Sequence, residues 1–210
     1  MQQGQVICPA NEPIRDVSFP EGGVASFHDL LSDGSRVGIG IIGREGMTGW
    51  PVLLGAEISP HEATVAIASG TALQMPAGTL LAACQERPAL NHLLLRFVHT
   101  FIRQLARTIV SNVCDPVERR LSRWLLMNQD RLHGDEIELT HKQIGMMLGV
   151  RRASVTDALH LLEGAGLIRS TRGCICIRDR QGLETLTGES YGAAEAEYSR
   201  LIAPFPRAAA

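Results

Sequence analysis

The sequence predicts an α+β protein with an N-terminal β-roll (a jelly roll), a long helix and a C-terminal winged helix-turn-helix. Three observations predict this order. Short β-type segments separated by glycine turns occupy residues 1–75, an unbroken helical pattern covers 90–113, and two amphipathic segments joined by a glycine occupy 139–168. The predicted parts are the β-roll at 1–89, the long helix at 90–114, the winged domain at 115–188 and a tail at 189–210.

Six segments of the N-terminal part have the composition of short strands. Turn residues such as Gly22-Gly23 and Asp33-Gly34 separate them, and many short strands in series are typical of a compact roll. The segments are VICP, DVSFP, GVASFHDLL, SRVGIGII, ATVAIA and TALQM. A short helix is predicted next at 77–87, where Pro88 ends it.

The long helix carries two apolar stripes. One contains Leu94 and Phe101, and the other contains Leu95, Ile102 and Ile109 at heptad spacing. Because one packing surface needs only one stripe, we expect the helix to pack both on the β-roll and on a second copy of the chain. A simple core helix is the alternative. The predicted dimer-interface residues are Leu94, Val98, Phe101, Leu105 and Ile109.

The tetrapeptide Asp115-Pro116-Val117-Glu118 predicts a helix start, with the aspartate as the cap and the proline in the first turn. It therefore marks a hinge after the long helix. The next apolar helix face is expected from Leu121, Trp124, Leu125 and Leu132. The tail after Gly188 is rich in alanine, glutamate and proline, and we expect it to be partly disordered.

Residues 139–168 predict a helix-turn-helix. Thr140 can cap the first helix, and Ile144 and Leu148 fall on one face of it. Gly149 follows where a left-handed residue can end a helix at little cost. The buried face of the second helix is expected from Val155, Ala158, Leu159, Leu161 and Leu162. In such motifs, the N-terminal end of the second helix contacts base edges in the major groove of DNA.

The side chains left on the outer face of the second helix are polar. Arginine is the common bidentate partner of guanine, whereas Asp157 could accept a hydrogen bond from cytosine or be only solvated. The next segment, IRSTRGCICI, predicts a two-stranded wing. Predicted base contacts are Arg152, Ser154, Thr156 and Asp157. Predicted phosphate contacts are Lys142, Arg151, Arg169 and Arg172. An ordinary pair of surface helices is the alternative.

Charge is distributed unevenly along the chain. Residues 1–90 carry 4 arginines and 9 acidic residues, whereas 140–180 carry 7 basic and 3 acidic residues. The positive field is therefore concentrated on the predicted DNA-binding segment. The pattern of a signal peptide and an apolar run long enough to span a membrane are both absent, and the 5 cysteines are scattered. We therefore expect a cytoplasmic protein with reduced thiols and no membrane partner.

The order of these parts resembles the Crp/Fnr family of bacterial transcription regulators. The most specific similarity is TxxxIGxxLGVxRxSVxxALxxLExxGLI at 140–168, within a resemblance that covers about 1–185. The resemblance implies a cyclic-nucleotide-binding-like roll, a dimerisation helix and a winged helix-turn-helix. It implies a homodimer on near-palindromic promoter DNA, with double-stranded DNA and RNA polymerase as partners.

The residues expected to bind an effector depart from the family pattern. Members that bind cyclic nucleotides carry a glutamate and later an arginine, but Trp50 and His61 stand at those positions here. Glu62 would repel a phosphate. We therefore expect a degenerate effector pocket and no binding of cAMP. An iron–sulfur cluster is not expected because Cys8 is alone in the N-terminal region, and isolated histidines do not predict haem.

Two further patterns carry weaker predictions. The run Gly38–Gly43 matches GxGxxG but lacks a following helix start, so we expect the glycines to permit tight strand packing. Cys174 and Cys176 fall on one face of a strand, as small apolar residues or, alternatively, as redox groups. A sensor of an unidentified small ligand in the roll stays open. A nucleotide-dependent enzyme is a remote alternative, because no nucleophile lies beside a base and no catalytic acids are paired.

Overall fold

The computed structural model describes residues 1–205, and its first part is an antiparallel β-roll. All six predicted strand segments are confirmed. The strands are β1 (Val6–Cys8), β2 (Asp16–Pro20), β3 (Val24–Leu30), β4 (Arg36–Ile42), β5 (Glu62–Ile67) and β6 (Ala72–Pro76). One sheet has the order β1-β5-β3-β4 and the other pairs β2 with β6, while a 3₁₀ turn at Trp50–Leu54 lies between β4 and β5.

Two helices follow the roll. They are α1 (Ala77–Glu86) and α2 (Pro88–Cys114), and α2 begins at the proline because its first turn needs no backbone donor. The ring of Phe97 on α2 lies over Gly46, where an added Cβ would come within 2.0 Å of a ring carbon. No helix within residues 1–205 has both the length and the apolar character required to cross a bilayer.

The predicted dimer interface needs correction at three positions. Leu94, Val98 and Phe101 are buried in the core of the roll, so they cannot face a second copy of the chain. Leu105 is half-buried against this core, and Ile109 remains exposed. The sequence pattern identified two stripes correctly, but it could not show which one the roll covers.

The C-terminal domain contains the predicted helix-turn-helix and wing. Its elements are α3 (Val117–Gln129), β7 (Glu136–Ile137), α4 (His141–Leu148), α5 (Arg152–Gly164), β8 (Ile168–Thr171), β9 (Cys174–Ile177) and α6 (Arg180–Thr187). Leu121, Trp124 and Leu125 form the predicted buried face of α3, whereas Leu132 is buried but lies beyond the end of the helix. The wing sheet has the order β7-β9-β8, and its third strand was not predicted because two residues carry no periodicity.

The hinge after α2 differs from the prediction. The cap position of α3 is Pro116, and the carboxylate of Asp115 does not cap the helix. It accepts hydrogen bonds from the Ser111 hydroxyl at 2.7 Å and the Ser190 hydroxyl at 2.6 Å, and it pairs with Arg119 at 3.4 Å. The aspartate therefore fastens the end of α2 to the C-terminal segment.

The prediction of a partly disordered tail is wrong for its described part. A 3₁₀ turn at Gly188–Ser190 and helix α7 (Ala193–Leu201) fold back along α2. His99 lies 3.1 Å from Glu197, and Arg96 donates to the backbone carbonyl of Leu201 at 3.2 Å. Composition suggested disorder because these contacts join residues distant in sequence. Of the predicted tail, 206–210 lie outside the described residues.

The C-terminal domain packs against the outer face of the four-stranded sheet. The Met147 sulfur at the end of α4 accepts from the Ser26 hydroxyl at 3.2 Å and lies 3.2 Å from His28 Nε2. A buried ion pair joins Arg131 to Glu45 at 2.7 Å, with both side chains almost fully buried. These two contacts fix the helix-turn-helix against the roll.

Candidate nucleic-acid interface

The first helix of the motif is defined by both of its ends. The Thr140 hydroxyl accepts from the Gln143 backbone N–H, and the Gln143 side-chain oxygen accepts from the Thr140 N–H, which completes a capping box. Gly149 ends α4 with a φ of 62°, in the left-handed region. Gly145 must also be small, since an added Cβ would lie 2.9 Å from the Val150 carbonyl oxygen.

The second helix has one buried face and one exposed face. Its buried face packs into the core of the C-terminal domain through Val155, Ala158, Leu159 and Leu162. Leu161 was predicted in that face but is 61% exposed, which corrects the prediction. The outer face is solvent-exposed along the helix, so α5 is presented as a recognition helix requires.

The structure separates the predicted base contacts. Arg152 is exposed at the first position of α5, Asp157 is exposed on the outer face, and Ser154 is half-buried. The Thr156 hydroxyl donates to the Arg152 carbonyl at 3.2 Å and lies 3.0 Å from His141 Nδ1. Because these contacts occupy it, Thr156 connects the two helices and is less available to a base.

Sequence reasoning missed one side chain on this surface. His160 is exposed one turn after Asp157, on the side of α5 opposite its buried residues. The helical spacing of three residues could have identified it. An imidazole there can donate to or accept from a base edge or a phosphate.

The predicted phosphate-contacting residues surround the recognition helix. Lys142 lies in the first turn of α4, Arg151 precedes α5, and Arg169 and Arg172 lie on the wing; all four are exposed. Gly173 turns the wing with a φ of 77°. Four cations on three elements around one exposed helix can contact the backbones on both sides of a major groove.

The two wing cysteines have the character of packed thiols. Both are half-buried, and their neighbours Ile175 and Ile177 point into the core. Burial is the main cause that raises the pKa of the Cys174 thiol, and Glu136 and Glu138 raise it further. A protonated thiol is a poor nucleophile, which favours the packing role over the redox role.

The predicted effector-pocket residues have separate partners. Trp50 packs edge-on against Phe101 at 5.5 Å within the core of the roll. Glu62 is held by Arg36 at 2.7 Å, and His61 Nδ1 lies 3.8 Å from Asp29. At this position the chain therefore presents a carboxylate, which disfavours a phosphate nearby.

The glycines of the GxGxxG run serve packing, as expected. An added Cβ on Gly38 would lie 2.7 Å from the Met147 carbonyl oxygen, and one on Gly40 would lie 2.8 Å from Leu105. Gly43 has a similar contact with Arg131, at 3.0 Å. Strand β4 can therefore touch both α2 and the C-terminal domain only because these positions lack side chains.

Comparison with known proteins identifies the motif. Residues 119–186 match the model of the Crp-like helix-turn-helix domain. This segment therefore has the sequence pattern of a Crp-like helix-turn-helix domain. The match covers most of α3, the helix-turn-helix, the wing and most of α6, so it includes every residue predicted to contact DNA.

Solved structures extend the similarity to the rest of the chain. The regulator TTHB099 of Thermus thermophilus is 18% identical, with a TM-score of 0.74 over 92% of this chain and 98% of that one. FixK2 of Bradyrhizobium japonicum is 21% identical, with a TM-score of 0.75 over 88% and 93%. The c-di-GMP-responsive regulator CLP of Xanthomonas campestris is 12% identical, with a TM-score of 0.67 over 84% and 91%. The chain thus has the fold of Crp/Fnr transcription regulators. No curated protein matches its sequence.

Proposed function

We propose that this protein is a transcription regulator that binds near-palindromic promoter DNA as a homodimer. The observation that carries the proposal is the exposed outer face of α5 on a Crp-like domain, surrounded by four exposed cations. Arg152 contacts a base edge, and Asp157 and His160 follow it along the groove. Lys142, Arg151 and the wing arginines contact phosphates.

The proposal is tested by selecting bound sites from random duplex DNA and repeating gel shifts with variants. Arg152→Ala is expected to cost about 1–3 kcal/mol on the selected site and to relax specificity at one base pair. Arg87→Ala is the matched control, since Arg87 is exposed at the start of α2, outside the helix-turn-helix and wing. If the two variants lose the same DNA affinity, or if Arg152→Ala loses none, Arg152 does not contact a base.

The dimer is proposed to form through the second stripe of α2. Its members Leu95, Ile102 and Ile109 recur every seven residues, and Ile102 and Ile109 are 48 and 66% exposed. Val113, one turn after Ile109, is 80% exposed. Heptad spacing is the pattern of two helices that pack along each other. Two recognition helices held in this way bind half-sites about one turn of DNA apart.

We also propose that the roll does not bind cAMP. Trp50 occupies space beside α2, and Phe27 and Phe97 pack on the same Phe101 ring at 5.2 and 6.3 Å. We further propose that the protein holds neither haem nor an iron–sulfur cluster. Isothermal titration calorimetry with cAMP tests the proposal that the roll does not bind cAMP, and saturable binding would overturn that proposal. We further propose that the protein acts in the cytoplasm, where promoter DNA lies, and contacts RNA polymerase.

A further inference from the structure

A cavity of about 160 Å³ lies between the outer face of the roll sheet and helix α4. Both domains line it: Val6, Thr64 and Arg36 come from the roll, and Gln143 and Met146 come from α4. A buried cavity of about 150 Å³ is large enough to hold benzene. This one therefore has room for a single ring with a small substituent.

The cavity is distinct from the interior of the roll. The interior beside α2 is filled by the aromatic cluster of Phe27, Trp50, Phe97 and Phe101. The cavity lies on the opposite face of the sheet, which also carries Ser26 and His28 against the C-terminal domain. A molecule bound there would contact the roll and the helix-turn-helix at the same time.

Unused hydrogen-bond donors line the cavity. The side-chain oxygen of Gln143 is occupied by Thr140 in the capping box, which leaves its amide N–H groups without a protein acceptor within residues 1–205. The Thr64 hydroxyl likewise has no acceptor in the described chain. Arg36 uses Nε and Nη2 on Glu62, and its Nη1 donates to no residue from 1 to 205. The site therefore offers donors to an acceptor on a ligand.

Charge decides between a neutral and an anionic acceptor. The guanidinium of Arg36 already faces the Glu62 carboxylate at 2.7 Å, so the pair has no net charge. A second carboxylate would lose hydration and gain no uncompensated cation. We propose that the cavity binds a small, neutral, mostly apolar molecule whose carbonyl oxygen accepts from the side-chain amide of Gln143. Its apolar part lies against Val6 and Met146.

The test compares benzamide with benzoate, which have nearly the same shape and differ in charge. Ligand-observed NMR titration of the full chain should show saturable binding of benzamide and at least about tenfold weaker binding of benzoate. Val6→Phe fills the mouth of the cavity from an edge strand, where Val6 is 42% exposed, and should abolish benzamide binding. Leu73→Phe, on exposed β6, is the control and should bind as the parent does.

A second variant keeps the capping box and exchanges the amide donor for a carboxylate. Gln143→Glu retains the side-chain acceptor of the capping box but replaces the amide N–H groups, so benzamide affinity should fall about threefold to tenfold. No saturable binding of benzamide, benzoate binding as tight as benzamide, or unchanged affinity in Val6→Phe or Gln143→Glu would overturn the proposal. The titration contains no DNA, so a negative result leaves the proposed DNA binding intact.

Discussion

Truncation of Ile109 tests how the chain forms a dimer. Ile109 lies on α2 near the hinge and is 66% exposed in the single chain. Full burial of an isoleucine side chain contributes about 1.5–3 kcal/mol. About two-thirds of that, roughly 1–2 kcal/mol, is still to be gained when a second copy covers it. Since a twofold dimer contains the residue twice, Ile109→Ala should weaken association by about 2–4 kcal/mol.

That free energy corresponds to a rise of about 30-fold to 700-fold in the dimer dissociation constant, because 1.4 kcal/mol is tenfold. Sedimentation equilibrium over a range of concentrations measures it directly. Folding of the single chain should change little, since an exposed side chain contributes little packing to its own protomer.

Leu73→Ala provides the control for this measurement. Leu73 is 63% exposed on β6, so it has the same apolar character but lies on another element. Its truncation should leave the dissociation constant unchanged. If Ile109→Ala and Leu73→Ala have the same dissociation constant as the parent, the second stripe of α2 is not the interface.

Three further substitutions test the interface and the packing. Arg172→Ala should weaken binding to all duplexes alike and reduce the slope of log K against log salt concentration by about 1. DNA titrations at several salt concentrations measure this slope, and an effect confined to one sequence would contradict a phosphate contact. Glu45→Ala leaves the buried Arg131 without its carboxylate and should cost about 3–5 kcal/mol in urea unfolding, whereas a loss below about 1 kcal/mol would mean that water replaces the pair. Tyr191→Phe removes the hydroxyl that donates to Asp130 at 2.5 Å and should cost about 1–3 kcal/mol in the same assay; no loss would show that the tail is not fastened there.

The sequence was sufficient where local patterns determine structure. The capping residue Thr140 and the turn residue Gly149 fix α4 at both ends, and both effects act within a few residues. The buried faces of the helices follow from apolar spacing for the same reason. The exposed position of Asp157 could be predicted because the opposite face of α5 had to be buried.

The sequence was insufficient where the outcome depends on contacts between distant segments. Leu94 and Ile109 belong to similar apolar patterns, and only the position of the roll shows that the first is core and the second exposed. The order in α7 depends on partners such as His99, which is far away in the sequence. Thr156 has the composition of a base-contacting residue, and only the position of His141 shows that its hydroxyl is occupied.

Contacts between the domains link the roll to the recognition helix. Met147 lies at the end of the helix that His141 begins, and it is fixed to the roll through Ser26. His141 in turn contacts Thr156 on α5, so a shift of the sheet face would move both ends of α4 and the recognition helix with them. A molecule that binds only when the domains are arranged in this way changes the affinity of the protein for DNA. By linkage, bound DNA changes the affinity of the protein for that molecule by the same factor. The cavity beside α4 is therefore a place where a small ligand could regulate DNA binding without entering the filled interior of the roll.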